Sequence, residues 1–405
     1  MRASSLLVGT TIAVVALAGV DASAYPWLIN HGYAKCAACH VDPSGSGQLT
    51  QYGAALQDQA VRWHADPKEL ENGEPSPLSA ALFGLPQPGW LNVSGNLRGG
   101  GMVVGKVDEP SAARAIPLLM ATDVYATVNV ESFVAHVAVG YGLAGRAKAL
   151  VGPAAVLLLG DEQHALVSRE HWVGMKFLDD ALVVRAGRLP LPFGLRNYEH
   201  VSWVRSATRS DVNVGQQHGV AVAWQNDLFR TEVMGIAGNY QLRPGEYRER
   251  GYAGLFEWAP QEKLAIAASS KLTVAGRDLA TGKPSALRTE NGLSARWSPV
   301  DGVAILGEVD ALVASLDGAL STGGVGWLQV DLQPVQGVHI QPAVETLYRG
   351  DGTEAGPAVG GWLSASWYPL VHTELRLDNY VRQESLKGAS TPATFTSLLQ
   401  VHLYL

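Results

Sequence analysis

Residues 373–382 read TELRLDNYVR. In an extended chain, successive side chains point to opposite faces. One face of this stretch therefore holds Leu375, Leu377 and Val381, and the other holds Glu374, Arg376, Asp378, Tyr380 and Arg382. This period of two predicts a β-strand that separates an apolar environment from an ionic one.

The same alternation extends from Trp90 to the last residue. In residues 303–313, Glu308 and Asp310 alternate with Ile305, Val309, Ala311 and Val313. At the end of the chain, Leu399, Val401, Leu403 and Leu405 alternate with Gln400, His402 and Tyr404. We count about sixteen such segments. They begin near residues 90, 116, 132, 165, 181, 215, 228, 248, 262, 286, 301, 320, 335, 357, 371 and 391.

The connections between these segments alternate in length. Seven are tight, at residues 129–132, 178–181, 225–228, 259–263, 298–302, 333–337 and 368–371. The intervening connections are mostly longer, notably residues 143–165 and 190–214. Short periplasmic turns and longer outer loops are typical of outer-membrane barrels, and an even strand number places both ends on the periplasmic side. The pattern predicts an all-β fold, a transmembrane antiparallel β-barrel of about 16 strands over residues 90–405.

A soluble β-sandwich or a set of β-repeats would also alternate. The loop lengths and the strand at the end of the chain favour the barrel. Aromatic residues near strand ends are expected at membrane interfaces. The candidates for such girdles are Trp90, Trp203, Trp258, Trp297, Trp362, Trp367 and Tyr368.

The first 24 residues have the order of a secretory signal. Arg2 precedes an apolar stretch at residues 6–20, which Ala22, Ser23 and Ala24 follow. The alternative is a transmembrane anchor, but the stretch is short and ends in a small-residue cleavage site. We therefore expect a signal peptide over residues 1–24 and export to the outer membrane.

Charge excludes one class of function. The chain has 30 Lys and Arg against 37 Asp and Glu, for a formal net charge of -7, with no basic block. Nucleic-acid binders need a concentrated basic surface. No nucleic-acid partner is expected.

Cys36-Ala37-Ala38-Cys39-His40 matches the C-x-x-C-H signature of c-type haem attachment. The two thiols form thioethers to the haem, and the adjacent imidazole ligates the iron. A redox-active C-x-x-C, a zinc site and a chance match are the alternatives. The chain has only two cysteines, and the motif uses both. We expect one covalently bound haem c in a segment over residues 25–65.

The residues around the motif suggest how this segment folds. Residues 42–47 form a turn cluster, and residues 49–63 have helical spacing. Residues 66–89 contain five prolines and are predicted to be a linker. The sequence does not determine the distal haem ligand. The candidates are His64 and His31, then Met102, Met120, Met175 and Met234, or no ligand at all.

The combination of a signal peptide, one C-x-x-C-H motif and a barrel resembles the fused outer-membrane cytochrome-porins. The resemblance implies electron transfer between an extracellular donor or acceptor and periplasmic c-type cytochromes. The best-known members oxidise ferrous iron, so a ferrous iron oxidase is the enzyme it suggests. Those members are expected to have Phe-Pro and further aromatic residues soon after the haem histidine, whereas residues 42–47 here read DPSGSG. The donor therefore stays open.

Residues 185–196, which read RAGRLPLPFGLR, also look like a porin strand that enters a long loop. The arginines in and after it fit either a solvated basic loop or lumen wall, or a functional constriction. These arginines are Arg188, Arg196, Arg205 and Arg209.

The apolar band of the membrane is about 25 Å tall, so a single haem can carry electrons across it only if it is held inside the barrel. We therefore expect the N-terminal segment to plug the lumen. The lumen wall is expected to include Glu345, Glu374, Arg376 and Asp378. Two alternatives stay open: a porin scaffold that docks other cytochromes, and a solute-transporting porin with a structural haem.

Overall fold

The computed structural model describes residues 26–45, 47–63, 78, 81–143, 156–159, 164–196, 202–211, 215–242, 244–350, 355–386 and 389–404. The expected signal peptide, His64 and most of the expected linker lie outside the described residues. Among the described helices, none has the length and apolar character needed to cross a membrane.

Sixteen long strands and two short ones follow the N-terminal segment. The long strands are β1 (Leu91–Lys106), β2 (Arg114–Val130), β3 (Phe133–Leu143), β5 (His164–Phe177), β6 (Leu182–Leu189), β7 (Gln217–Gln225), β8 (Phe229–Gly238), β9 (Arg250–Gln261), β10 (Leu264–Arg277), β11 (Pro284–Val300), β12 (Val303–Leu316), β13 (Ala319–Val335), β14 (Val338–Tyr348), β15 (Ala355–Leu370), β16 (Thr373–Leu386) and β18 (Thr394–Tyr404). Each begins within three residues of its predicted start. The short strands β4 (Val156–Leu159) and β17 (Ala389–Ser390) were not predicted.

The long strands form one closed antiparallel sheet. Each pairs with its neighbours in chain order, and β3 and β16 pair directly with β5 and β18. The ring closes where β1 pairs with β18, from Asn96 opposite Tyr404 to Lys106 opposite Thr394. The predicted barrel of 16 strands is confirmed.

The two faces of each strand differ as the sequence predicts. In β16, Glu374, Arg376 and Asp378 are buried, whereas Leu377 and Val381 are exposed. In β14, Glu345 is buried between the exposed Val344 and the outward-facing Thr346. A polar interior and an apolar exterior follow, and the four predicted lumen residues all lie inside.

The two ends of the barrel also differ. Seven tight connections lie at one end, together with the start of β1 and the end of β18, and we call this the turn end. The other end is the loop end. One turn departs from the expected pattern, because Asp317 and Gly318 alone join β12 to β13 at the loop end.

Only some of the predicted girdle aromatics face outward. Trp90, Trp258, Trp297 and Trp367 are exposed near the turn end, as expected. Trp203, Trp362 and Tyr368 are buried instead, so the girdle prediction is wrong for these three. Trp362 and Tyr368 have the inward parity of β15, and Trp203 lies in the β6–β7 loop.

The N-terminal segment lies inside the barrel. We call residues 26–45 and 47–63 the plug. They contain a 3₁₀ helix (Pro26–His31) and helix α1 (Gln51–Val61), which confirms the helix predicted over residues 49–63. Trp27, Leu28 and Ile29 are fully buried against inward-facing side chains of β10 and β12–β15, including Leu306 and Tyr368. The expected plug is therefore present.

The loop between β6 and β7 also folds into the lumen. Its described part, residues 190–196 and 202–211, contains helix α2 (Trp203–Thr208). Phe193, Val204 and Arg205 are fully buried there, and the Leu195 N–H donates to Glu308 of β12 at 2.9 Å. The plug and this loop together occupy the interior that the strands enclose.

Candidate haem-attachment site

The C-x-x-C-H residues form one turn of helix. The N–H groups of Cys39 and His40 donate to the carbonyl of Cys36, at 3.2 and 3.0 Å. Residues three and four apart lie on the same face of a helical turn. One backbone turn therefore carries both cysteines and His40, and neither cysteine is in a disulfide.

The residues that follow the turn hold it in shape. The Thr50 N–H donates to the Cys39 carbonyl at 2.7 Å, and the Thr50 hydroxyl donates to the Ala38 carbonyl at 3.0 Å. His40 and Leu49 form an isolated β-bridge. The start of α1 thus fixes the backbone on which the two cysteines and the histidine lie.

Gly45 allows the chain to pass close to the first cysteine. Its φ of +88° is in the left-handed region, and a Cβ there would stand 2.7 Å from the Cys36 Cβ. Only glycine fits this position. The DPSGSG segment therefore has a packing role beside the motif.

Arginines from the barrel wall and the β6–β7 loop converge on this segment. Asp42 pairs with Arg185 of β6 at 2.8 Å. Arg230 of β8 donates to the Ser44 carbonyl at 3.1 Å, and Arg196 of the loop donates to the same oxygen at 3.3 Å. Three separate elements hold the turn in the turn-end half of the lumen.

Burial sets the electrostatics of the site. Burial raises the pKa of the Cys39 thiol to about 12, and the neighbouring Cys36 adds to the shift. Burial also raises the pKa of the Asp42 carboxyl, but Arg185, Arg196 and the Ser44 N–H outweigh it and hold that pKa below its ordinary value. Asp42 is thus a carboxylate and Cys39 a neutral thiol at neutral pH.

The donor set fits a c-type haem. Two cysteines in no disulfide and one histidine lie on a single hydrogen-bonded turn, at the spacing that two thioethers and an axial ligand require. Within the described ranges, no group of three or more His, Cys, Asp or Glu side chains is arranged to hold a bare metal ion.

The candidates for the distal ligand lie in different places. His31 ends the 3₁₀ helix near Gln333 of β13, on the opposite side of the plug from Arg185 and Arg230. Met234 is fully buried in a lumen cluster against which Val41 packs. Met175 is exposed on the outer face, and His64 lies outside the described residues.

Arg188 of β6 and Arg205 of the loop are buried, and Arg196 and Arg209 are half-buried, so these arginines belong to the lumen rather than to a solvated loop. Arg188 donates to Gln216 at 3.3 Å, and Arg205 pairs with Glu308. Arg209 pairs with Glu290 at 2.8 Å. Sequence reasoning missed these pairs because Arg205 and its partner are 103 residues apart.

An aromatic cluster holds α2 against the wall. The Arg382 guanidinium lies about 5 Å from the rings of Trp203, Trp362 and Tyr380, and it pairs with Glu345 at 2.6 Å. Glu345 also accepts a hydrogen bond from the backbone N–H of Trp203 at 2.9 Å. This cluster fixes the β6–β7 loop inside the lumen.

The closed barrel, its ionic lumen and its apolar exterior define a porin-like outer-membrane β-barrel. Solved outer-membrane proteins are similar in fold. OmpTΔL8, an outer membrane protein of Vibrio cholerae, has a TM-score of 0.57 at 9% identity, covering 78% of this chain and 99% of that chain. The outer membrane channel DcaP of Acinetobacter baumannii has a TM-score of 0.56 at 9% identity, covering 78% and 97%.

A third similar structure is an anion-selective porin from Comamonas acidovorans, with a TM-score of 0.54 at 11% identity, covering 78% of this chain and 99% of that chain. No protein-family model matches the chain, and no curated protein matches it at a significant level. The structural likenesses establish the fold. A closed barrel with an apolar exterior and an ionic lumen is the architecture of a protein that spans an outer membrane. The turn end is therefore the periplasmic end.

Proposed function

We propose that this chain is an outer-membrane electron-transfer protein that carries one covalent haem c. Cys36 and Cys39 hold the haem through thioethers, and His40 is the proximal ligand of its iron. The haem passes electrons between an extracellular donor or acceptor and a periplasmic c-type cytochrome. The observation that carries the proposal is the single hydrogen-bonded turn inside the barrel that holds Cys36, Cys39 and His40, with neither cysteine in a disulfide.

The position of the turn supports this role. The turn lies in the lumen, beside Arg185 of β6 and Arg230 of β8, rather than below the barrel. Burial in the protein restricts access of water to the site, and a bound haem supplies a one-electron centre there. The chain's own contribution is to hold that centre part of the way across the membrane.

The filled lumen favours electron transfer over solute transport. The plug and the β6–β7 loop both occupy the interior, and buried ion pairs tie them to β6 and β12. Both segments reduce the space through which a solute could pass. A scaffold that docks further cytochromes is compatible with the same fold, and it predicts extra haem in the purified protein.

The first experiment asks whether the haem is attached. The full chain is produced in a host that matures c-type cytochromes and is assayed by haem staining after denaturing electrophoresis. We expect a stained band for the natural chain and for Ala37→Ser, which leaves the ligands intact. We expect none for the double variant Cys36→Ser, Cys39→Ser. An unstained natural chain would overturn the proposal.

A second experiment identifies the donor. Visible spectra of the oxidised, detergent-purified protein are recorded before and after ferrous iron is added, with dithionite as the control for a reducible haem. Reduction by iron supports a ferrous iron oxidase. Reduction by dithionite alone keeps electron transfer and excludes iron as the donor.

A further inference from the structure

A line of buried polar groups leads from the plug to the barrel wall. The Thr127 hydroxyl of β2 donates to Gln48 Oε1 at 2.5 Å and lies 2.8 Å from His136 Nδ1 of β3. His136 Nε2 lies 3.7 Å from Glu170 Oε2 of β5. All four side chains are buried. They connect the plug to a carboxyl group in the wall.

The hydrogen bonds determine where the protons lie. Gln48 Nε2 donates to the Asn92 carbonyl at 2.9 Å, which orients the amide so that its oxygen faces Thr127. The single Thr127 proton goes to Gln48 Oε1, so the Thr127 oxygen accepts a hydrogen bond from His136 Nδ1–H. His136 Nε2 is the nitrogen that faces Glu170. A lone pair and a carboxylate would repel each other there, so this position favours one additional proton.

His136 and Glu170, which we call the proton pair, lie next to the turn of residues 36–40 that is proposed to hold the haem. The Val41 N–H donates to the Gln48 carbonyl at 2.9 Å, and His40 bridges to Leu49. On the other side of Gln48, a Cβ at Gly47 would stand 3.0 Å from Glu170 Oε1. The carboxyl group of Glu170 therefore packs against the chain that carries the motif.

The nearby cations bind other partners, so they do not fix the charge of His136 and Glu170. The charged groups that face His136 and Glu170 are Asp42 of the plug, Arg185 and Arg188 of β6, and Arg196 of the loop. Arg185 is already paired with Asp42 at 2.8 Å and with Glu232 at 2.5 Å. Among ion pairs between described residues, Glu170 takes part only in the one with His136.

The uncharged neighbours are aromatic. Trp172 of β5 lies 5.2 Å from the His136 ring, and Tyr125 of β2 stacks on the ring at 6.4 Å. These rings cover most of the two side chains and leave the charge of a nearby redox centre poorly screened. His136 and Glu170 keep 5% and 4% of their surface exposed, and a proton can exchange with water there.

We propose that His136 and Glu170 bind and release one proton as the haem gains and loses one electron, an inference that rests on the proposed function. A haem held at the turn would add one negative charge to the lumen on reduction, and His136 and Glu170 would bind one proton from water, which would balance that charge. On loss of the electron to the periplasmic carrier, the two residues would release the proton to water. No other oxidant or reductant is needed.

The test is the midpoint potential of the haem-loaded full chain, measured by spectroelectrochemical titration at several pH values. One proton bound per electron lowers the potential by about 59 mV for each pH unit in the range where the pair titrates. We expect this slope in the natural chain. We expect it to be lost in Glu170→Gln and in His136→Gln.

Glu232→Gln is the matched variant, because Glu232 is also a buried lumen carboxylate and also lies near Arg185. It is expected to keep the slope. A redox infrared difference spectrum of the natural chain provides a measurement without mutation, and it should show the carboxyl or imidazole bands of the pair change with reduction. This second readout holds even where a variant fails to fold.

The outcomes separate the two proposals. A natural chain without covalent haem overturns the proposed function, and this inference with it. Two results would overturn the role of the proton pair and leave electron transfer intact. One is a midpoint potential of the haem-loaded natural chain that does not depend on pH, and the other is a slope that persists in both Glu170→Gln and His136→Gln. Loss of the slope in Glu232→Gln alone would assign the proton to a different carboxylate.

Discussion

Replacing Asp42 with asparagine is expected to release the plug. Asp42 and Arg185 lie 2.8 Å apart, with side chains that are 2% and 0% exposed, and Asp42 also accepts the Ser44 N–H at 2.8 Å. Removing one member of a buried ion pair destabilises a protein by about 3–5 kcal/mol. Arg185 keeps Glu232 at 2.5 Å, so we expect the lower end of this range.

A loss of about 3 kcal/mol shifts the equilibrium between docked and undocked plug by about 150-fold, because each 1.4 kcal/mol is a factor of about ten. The assay is ion conductance of the full chain in planar lipid bilayers. The natural chain should conduct little, and Asp42→Asn should show frequent open events of a porin-sized pore.

Asp227→Asn is the matched control. Lys35 of the plug pairs with Asp227 of the β7–β8 turn, also at 2.8 Å, but these side chains are 32% and 98% exposed. Exposed pairs contribute little because water and salt screen them. We expect Asp227→Asn to conduct like the natural chain. Equal conductance in all three proteins, or equal opening in both variants, would show that burial of the Asp42 pair does not hold the plug.

Three further predictions concern the same segment. The depressed pKa of Asp42 means that its contribution to docking is fully present above about pH 4 and is lost as the pH falls through that lowered pKa, so conductance should rise only in strong acid. Gly337→Ala should destabilise the barrel more than Gly318→Ala does. Both glycines have a positive φ, but only at Gly337 would a Cβ stand 2.5 Å from Trp63 N. The measurement is the temperature at which the folded barrel changes its electrophoretic mobility, which should be lower for Gly337→Ala. In folded, haem-free protein, Cys39 should react slowly with iodoacetamide at neutral pH and quickly after unfolding, because its thiol is buried and its pKa is about 12; fast alkylation of the folded protein would contradict the described burial.

Strand positions were predictable because a barrel wall imposes the same two environments on every strand. The alternation in residues 373–382 is local, so it can be read without knowing the neighbouring strands. The short strands β4 and β17 have 4 and 2 residues and are too short to show a period. Trp362 was misassigned for a related reason, since an aromatic side chain near the middle of a strand suits the lumen as well as a lipid interface.

The candidate site was predictable only in part. The C-x-x-C-H motif identifies its own chemistry, and the turn cluster and the helix after it are local signals. The partners are not local: Arg185 reaches Asp42, and Thr127 reaches Gln48 across 79 residues. Such pairs depend on barrel closure, which places distant strands around one lumen. The inward position of residues 190–196 and 202–211 depends on closure in the same way.

The seam between β1 and β18 joins the first and last long strands of the ring, and the plug precedes both of them in the chain. Cys36 and Cys39 are buried when the plug is docked in the closed ring. An enzyme that modifies these thiols therefore has to act before the plug docks, so maturation of this segment becomes a step that precedes its entry into the lumen.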